Sequence, residues 1–214
     1  MNGCIPMGKR DFAIIGHRAM SSGKLPLNDI SGIGGRMDVL LRAVNSALFL
    51  SHGIREDVSI TLHLMGGPGP ARRIKFEGNN LRGLHSDERA ISGMVAKVLR
   101  EPVPPIGMFA ELGRGISHSG GDISNTITEW RKLGSSIIRL SANSPLFENY
   151  IENEYEGQNV SFILSDDNDF SVEEYEMMKD IDSYSLGSIW LQGHSAITIV
   201  HHMIDEKYHS SELT

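Results

Sequence analysis

The sequence is poor in the features that usually announce a function. Its one cysteine, Cys4, excludes an intrachain disulfide. It has no uninterrupted apolar run near the 18 residues needed to cross a membrane, and its N-terminus lacks a signal-peptide pattern. The expectation is therefore a soluble, cytoplasmic chain. No GxGxxG follows a strand, CxxC and HExxH are missing, and the nine histidines lack metal-ligand spacing. Gly23-Lys24 looks like the end of a phosphate-binding P-loop, but the glycine required five residues earlier is Arg18. Ser165, His194 and Ser195 are not set in a nucleophile elbow, so a serine hydrolase is not indicated. Internal repeats and low-complexity tracts are likewise missing.

What remains is a chain of 214 residues, 40% hydrophobic, long enough for one good-sized α/β domain. The net charge of −7 argues against a generally basic nucleic-acid binder, but the charge is unevenly spread. Residues 1–147 carry 18 Lys/Arg against 12 Asp/Glu, whereas residues 148–214 carry 2 against 15. A phosphate-bearing partner would be drawn to the first part and repelled by much of the second.

In chain order, residues 1–10 read as a tail, and Asp11–Gly16 as a buried first strand. Arg36–Ser51 reads as a helix with a wide apolar arc (Met37, Leu40, Leu41, Val44, Leu48, flanked by Val39, Ala43, Ala47). Its narrow polar stripe holds Asp38, Arg42 and Asn45 at i, i+4, i+7, with Arg36 at the helix start. That stripe is either an exposed Asp38–Arg42 pair, worth roughly 0.2–0.5 kcal/mol, or one wall of a cleft. Val58–Met65 and Arg72–Phe76 form a hairpin-like pair, with a possible small extension around 66–83. Ser86 is placed to cap a helix over Asp87–Arg100. Arg72, Arg73, Lys75 and Arg82 suggest either an RNA-facing patch or ordinary surface charge.

Pro102–Pro105 marks a seam. A helix over Ile123–Leu133, closed by Gly134, then leads to strands at Ser136–Leu140 and Val160–Leu164. Ser171 and Glu174 form a capping box. Strands alternating with helices imply a mainly parallel sheet with βαβ units.

Tyr184–Asp205 combines the Leu186-Gly187 turn, a polar loop with Trp190, Gln192 and His194, and a helix expected from Ala196, with Ser195 as N-cap. Ala196, Ile197, Val200, Met203 and Ile204 supply its apolar face. His201 and His202 point about 100° apart on that helix and read as packing or surface residues. Strand ends at Leu164 and Leu186 would lie at the carboxyl edge, where open α/β sheets bind ligands.

Three ordered blocks carry a resemblance: GRMDVLLRAVNSALFLSHGIRED (35–57), ILSDDNDF (163–170) and SLGSIWLQGHSAITIVHHMID (185–205). Together they resemble the archaeal tRNA pseudouridine-54 N1-methyltransferases of the SPOUT superfamily, over about Asp11 to Asp205 with gaps. The resemblance implies a single domain over 11–214, a C-terminal trefoil knot, a homodimer, and S-adenosyl-L-methionine as cofactor. By position, the cofactor would be held by Leu164, Ser165, Asp166, Leu186, Gly187, and the stretch Leu191 through Ile197, including Ser195 and Ala196. Pseudouridine is joined to ribose through carbon, so its N1 is free and carries a proton that methylation must remove. In the block matching the substrate region, Asp38 would accept from N1–H or orient the base, Arg36 would bind phosphate or a uracil carbonyl, and Asn45 would read a base edge. Arg42 and Arg55 would contact the RNA backbone. Neither metal nor membrane is implied. Other readings are the same reaction on ribosomal RNA and a non-catalytic RNA-binding protein that keeps the fold. The segment Pro102–Gly121 matches poorly, and Met1–Gly8 has no counterpart.

Overall fold

A strand with apolar side chains on both faces needs cover on both faces, and Phe12, Ala13, Ile14 and Ile15 are all buried at the centre of this protein. The computed structural model describes residues 7–212, with side chains through Lys207. Most of the tail expected over residues 1–10, Cys4 included, lies outside that range. The described chain runs β1 (Arg10–Gly16), α1 (Met37–Leu48), the short pair β2 (Phe49–Leu50) and β3 (Gly53–Ile54), β4 (Val58–Leu64), β5 (Arg72–Glu77) and α2 (Glu88–Val98). It continues through β6 (Ala110–Gly113), β7 (Ile116–Gly120), α3 (Ile123–Lys132), β8 (Ser136–Leu140), α4 (Phe147–Asn153), β9 (Val160–Ser165), α5 (Val172–Met177), β10 (Asp182–Tyr184) and α6 (Gly193–Glu212).

Eight strands form one sheet in the order β10-β8-β9-β1-β4-β5-β7-β6. From β10 to β4 neighbours are parallel, and β5, β7 and β6 close the other end antiparallel. Alternate residues feed two cores. Phe12, Ile14, Ile60, Leu62, Ile74 and Phe162 pack under α1, α2, α4 and α6. Ala13, Ile15 and Ile163 pack with Ile123, Ile127 and Trp130 of α3 and with Phe170 and Met178 around α5. The fold is thus an α/β structure with a mostly parallel sheet and helices on both faces, and β5 sits inside that sheet between β4 and β7.

Several helix ends differ from the sequence reading. α1 begins at Met37 and stops at Leu48, because Phe49 turns extended (φ −93°, ψ 136°) into the β2–β3 pair. α2 is capped by Asp87, whose carboxylate accepts from Ala90 N, not by Ser86. α6 starts at Gly193: Ala196 N donates to Gln192 O, which makes Ser195 a residue of the first turn rather than the N-cap. The Pro102–Pro105 segment runs beside β7, with Gly120 N donating to Pro104 O at 2.9 Å. The Ser171 and Glu174 capping box forms as read.

Candidate active site

The carboxyl ends of β8, β9 and β10 open into a cleft closed by the start of α6. Leu164, Ser165, Asp166, Leu186, Gly187, Leu191 and Ala196 line it. Ser195 and Ile197 do not: Ile197 is fully buried in the core against α1 and β1. The sequence reading missed the wall from Leu140 to Asn143, the Asn168–Phe170 turn and Tyr175. Since β8 was recognised as a strand, the loop leaving its carboxyl end was available to the same edge rule. Gly187 has φ 124°, a conformation side chains rarely adopt, and open space where a Cβ would stand. The turn is locked from one side, with Ser185 Oγ donating to Gly187 O at 2.8 Å.

The loop after β9 is held from behind by a residue the sequence left without a role. His17, at the end of β1, donates its backbone N–H to Asp166 Oδ2 (2.9 Å) and sets its ring between Asp166 Oδ1 (3.0 Å) and Glu174 Oε2 (2.9 Å). The hydrogen bond to Asp166 is the main reason the His17 ring is pushed up to about 9; burial opposes it and Glu174 adds to it. At neutral pH the ring is an imidazolium that ties β1, the cleft loop and α5 together. The Asp166 side chain is fully buried in this clamp, so the loop presents its backbone and neighbouring residues to the cleft.

The polar stripe of α1 meets these loops. Asp38 accepts from Arg36 Nε at 3.1 Å through Oδ1 and pairs with Arg42 through Oδ2. Arg36, at φ 63° the one non-glycine residue with positive φ among those described, extends Nη1 to Asp167 Oδ2 at 2.7 Å. Arg42 Nη1 reaches Gln192 Oε1 at 3.4 Å. Arg18 Nη2 also reaches Asp167 Oδ2, at 2.5 Å. Partial burial works against the charge on Asp167, but the Arg18 hydrogen bond and the nearby Arg36 hold its carboxyl below the usual carboxylate range. Helix and cleft therefore share one charged junction.

Other expected contacts lie elsewhere. The Asn45 amide donates to Ser86 O, which ties α1 to the approach to α2. Arg55 is paired with Asp205 at 2.7 Å and is mostly buried. Arg72 and Arg73 do not form an RNA-facing patch, because both are fully buried. Arg72 satisfies carbonyls at the end of α2, donating to Val98 O and to Glu101 O (2.6 Å). On the opposite face Arg73 bonds Thr126 (3.1 Å) and Glu129 (2.9 Å) beneath the Phe109 ring. His201 is a packing residue: burial, with Arg55 and Arg10 nearby, pushes it down to about 3. Among the described residues no group of His, Cys, Asp or Glu is arranged to hold a metal ion, and no helix is long and apolar enough to cross a membrane.

A mostly parallel α/β sheet with a cleft at its carboxyl edge, and arginines paired with aspartates along the cleft rim, define an α/β protein with a small-ligand site. More specifically, the chain belongs to the family of SAM-dependent RNA methyltransferases, whose model matches residues 9–209. A relative from Methanospirillum hungatei is 38% identical over 200 residues, covering 92% of this chain and 96% of its own. Another, from Haloarcula marismortui, is 35% identical over 199 residues, again covering 92% and 96%. Both bear the name tRNA (pseudouridine(54)-N(1))-methyltransferase. The fold is shared with Archaeoglobus fulgidus Nep1, solved bound to S-adenosylhomocysteine, at a TM-score of 0.62 and 12% identity over 94% of this chain and 99% of that one.

Proposed function

We propose that the protein transfers the methyl group of S-adenosyl-L-methionine to N1 of the pseudouridine at position 54 of tRNA. The observation that carries this reading is the junction just described: the cleft loops and the polar stripe of α1 meet through Arg36–Asp167 and Arg42–Gln192. The near full-length relatives named for this reaction favour tRNA over ribosomal RNA.

The residues fit the cofactor. Leu140, Leu164, Leu186 and Leu191 provide apolar walls for an adenine ring and a thioether chain. The open Gly187 turn allows close backbone approach, and Ser141, Asn143 and Asn168 supply polar edges. Bound there, S-adenosyl-L-methionine supplies an electrophilic methyl group on a sulfonium centre. The chain must then hold the nucleoside and help N1 lose its proton. Arg36 and Arg42 place positive charge at the rim, where they bind phosphate or a uracil carbonyl and stabilise the negative charge that develops on the ring. Asp38 fixes both guanidiniums. Because both its oxygens are engaged, it acts first by orientation, and it takes the N1 proton once a guanidinium turns to the substrate.

The same reading includes a single domain over 11–214, a C-terminal trefoil knot and a homodimer acting in the cytoplasm. The knot rests on the family resemblance alone; α6 packs with α1 on one side of the sheet. A dimer is supported by Ile189 and Trp190, about three-quarters exposed on the cleft loop, where a second copy would cover them.

The deciding experiment incubates the protein and cofactor with pseudouridine-bearing tRNA and ribosomal RNA fragments, followed by nucleoside mass spectrometry. N1-methylpseudouridine at tRNA position 54 is expected. Methylation of ribosomal RNA alone would overturn the choice of substrate, and no binding of S-adenosylhomocysteine by calorimetry would overturn the enzyme.

A further inference from the structure

At the rim of the cleft two guanidiniums converge on a single carboxylate oxygen. Arg18 Nη2 and Arg36 Nη1 stand 2.5 and 2.7 Å from Asp167 Oδ2. The two arginines belong to a stiff platform. At Gly35 a Cβ would lie 1.7 Å from Arg18 O, Met20 N donates to Gly34 O at 3.4 Å, and Arg36 is held in the left-handed region with Nε on Asp38. Their side-by-side placement is thus set by backbone packing and Asp38. Asp167 comes from a different element, the cleft loop, between Asp166 and Asn168, which line the cleft. Its side chain is 30% exposed, and that of Arg18 is 55% exposed.

Guanidinium forks match carboxylate and phosphate oxygens alike, so two of them converging on one carboxylate oxygen can take a phosphate in its place. We propose that Asp167 stands in for an RNA phosphate: it holds Arg18 and Arg36 in the RNA-free protein and gives them up to a backbone phosphate beside the target nucleoside. The proposal rests on the tRNA reading above and adds two residues to it. Arg18 becomes a substrate contact, and Asp167 becomes an internal competitor for that contact. Solvent-exposed ion pairs are weak, so the exchange costs little, and neutralising an RNA phosphate releases condensed counterions that drive it forward. The loop that touches the cofactor thereby also sets the resting state of the RNA-binding arginines.

The test is equilibrium binding of pseudouridine-bearing tRNA, with S-adenosylhomocysteine present, to the full chain and to Asp167→Asn and Arg18→Ala at several salt concentrations. Asp167→Asn should bind tRNA about threefold to tenfold more tightly, since the arginines no longer have to leave a carboxylate. Arg18→Ala should bind more weakly, with a salt slope shallower by about one phosphate contact. Unchanged or weaker binding by Asp167→Asn, with melting temperature and S-adenosylhomocysteine affinity like those of the parent, would overturn the proposal. If Asp167→Asn fails to fold, Arg18→Ala decides: unchanged affinity and slope overturn it. A parent protein that binds tRNA but never methylates it overturns the functional reading instead, and leaves the competition measurable.

Discussion

The two ends of the parallel strands carry charge networks of similar composition and opposite character. At the amino edge Arg10 is fully buried, bonded to Asp57 (3.1 Å), Asp205 (2.8 Å) and His201 Nδ1 (2.9 Å), while Arg55 completes the pairing of Asp205. At the carboxyl edge Arg18, Arg36 and Arg42 share Asp38 and Asp167 and remain a third or more exposed. The first network is built around a buried guanidinium: Arg10 sits among Asp57, Asp205 and His201, with its Nε left without a partner among the described residues, and it ties the start of β1 to α6. The second is open, with guanidiniums that reach solvent and carboxylates that serve more than one of them. A charge network centred on a buried guanidinium holds a fold together, whereas one whose guanidiniums reach solvent at a cleft is available to a ligand.

The sharpest way to break this comparison is to remove one member of each network. Arg10→Ala would leave Asp57 and Asp205 short of their buried partner and should lower the unfolding free energy by about 3–5 kcal/mol in a urea titration. Methyl transfer per folded molecule should stay near the parent value. If stability is unchanged, the amino-edge network is not structural. The matching change at the open end is Asp38→Asn, which removes the charge that orients Arg36 and Arg42. Here the rate should fall by about a hundredfold, the cost of misplacing groups at a reacting centre. Stability should fall by only about 1–2 kcal/mol, because the arginines left behind are solvated. Full activity in Asp38→Asn would remove Asp38 from the mechanism.

Much of this division was legible in the residues, and the failures have physical causes. Asp11–Gly16, the wide apolar arc of α1 and the Ser171/Glu174 box are local patterns, and each formed where the sequence puts it. The Leu186-Gly187 turn also led to the cleft, since a glycine after a strand in an α/β pattern marks a close backbone approach. What was missed depends on pairing. The β6–β7 hairpin is built from AELG and ISHSG, small and polar residues without a strand-like alternation, and β7 is buried only because it lies between β5 and β6. Arg72 and Arg73 look like surface charge in any local window. Their burial follows from α2 and α3 closing over opposite faces of β5, a tertiary fact. Arg18, Asp167 and His17 take their roles from partners more than 130 residues away, which no spacing rule connects.

His17 provides the smallest and most selective test, because it supports the open edge from behind without facing the cleft. Its folded value of about 9 lies above the ordinary 6.5. Protonation and folding are therefore linked, so the clamp contributes fully below about pH 6.5, weakens between 6.5 and 9, and is lost above 9. The measurement is the difference in unfolding free energy between the parent and His17→Gln at pH 6, 7.5 and 9. That difference should be largest at pH 6 and shrink steadily towards pH 9, where S-adenosylhomocysteine affinity should also converge. Arg10→Ala should show no such convergence over the same range, since a guanidinium stays charged throughout. A His17→Gln difference that is flat with pH would mean that the ring acts by packing alone. The cleft loop would then owe its position to the Asp166 carboxylate and the backbone N–H of residue 17, not to an imidazolium.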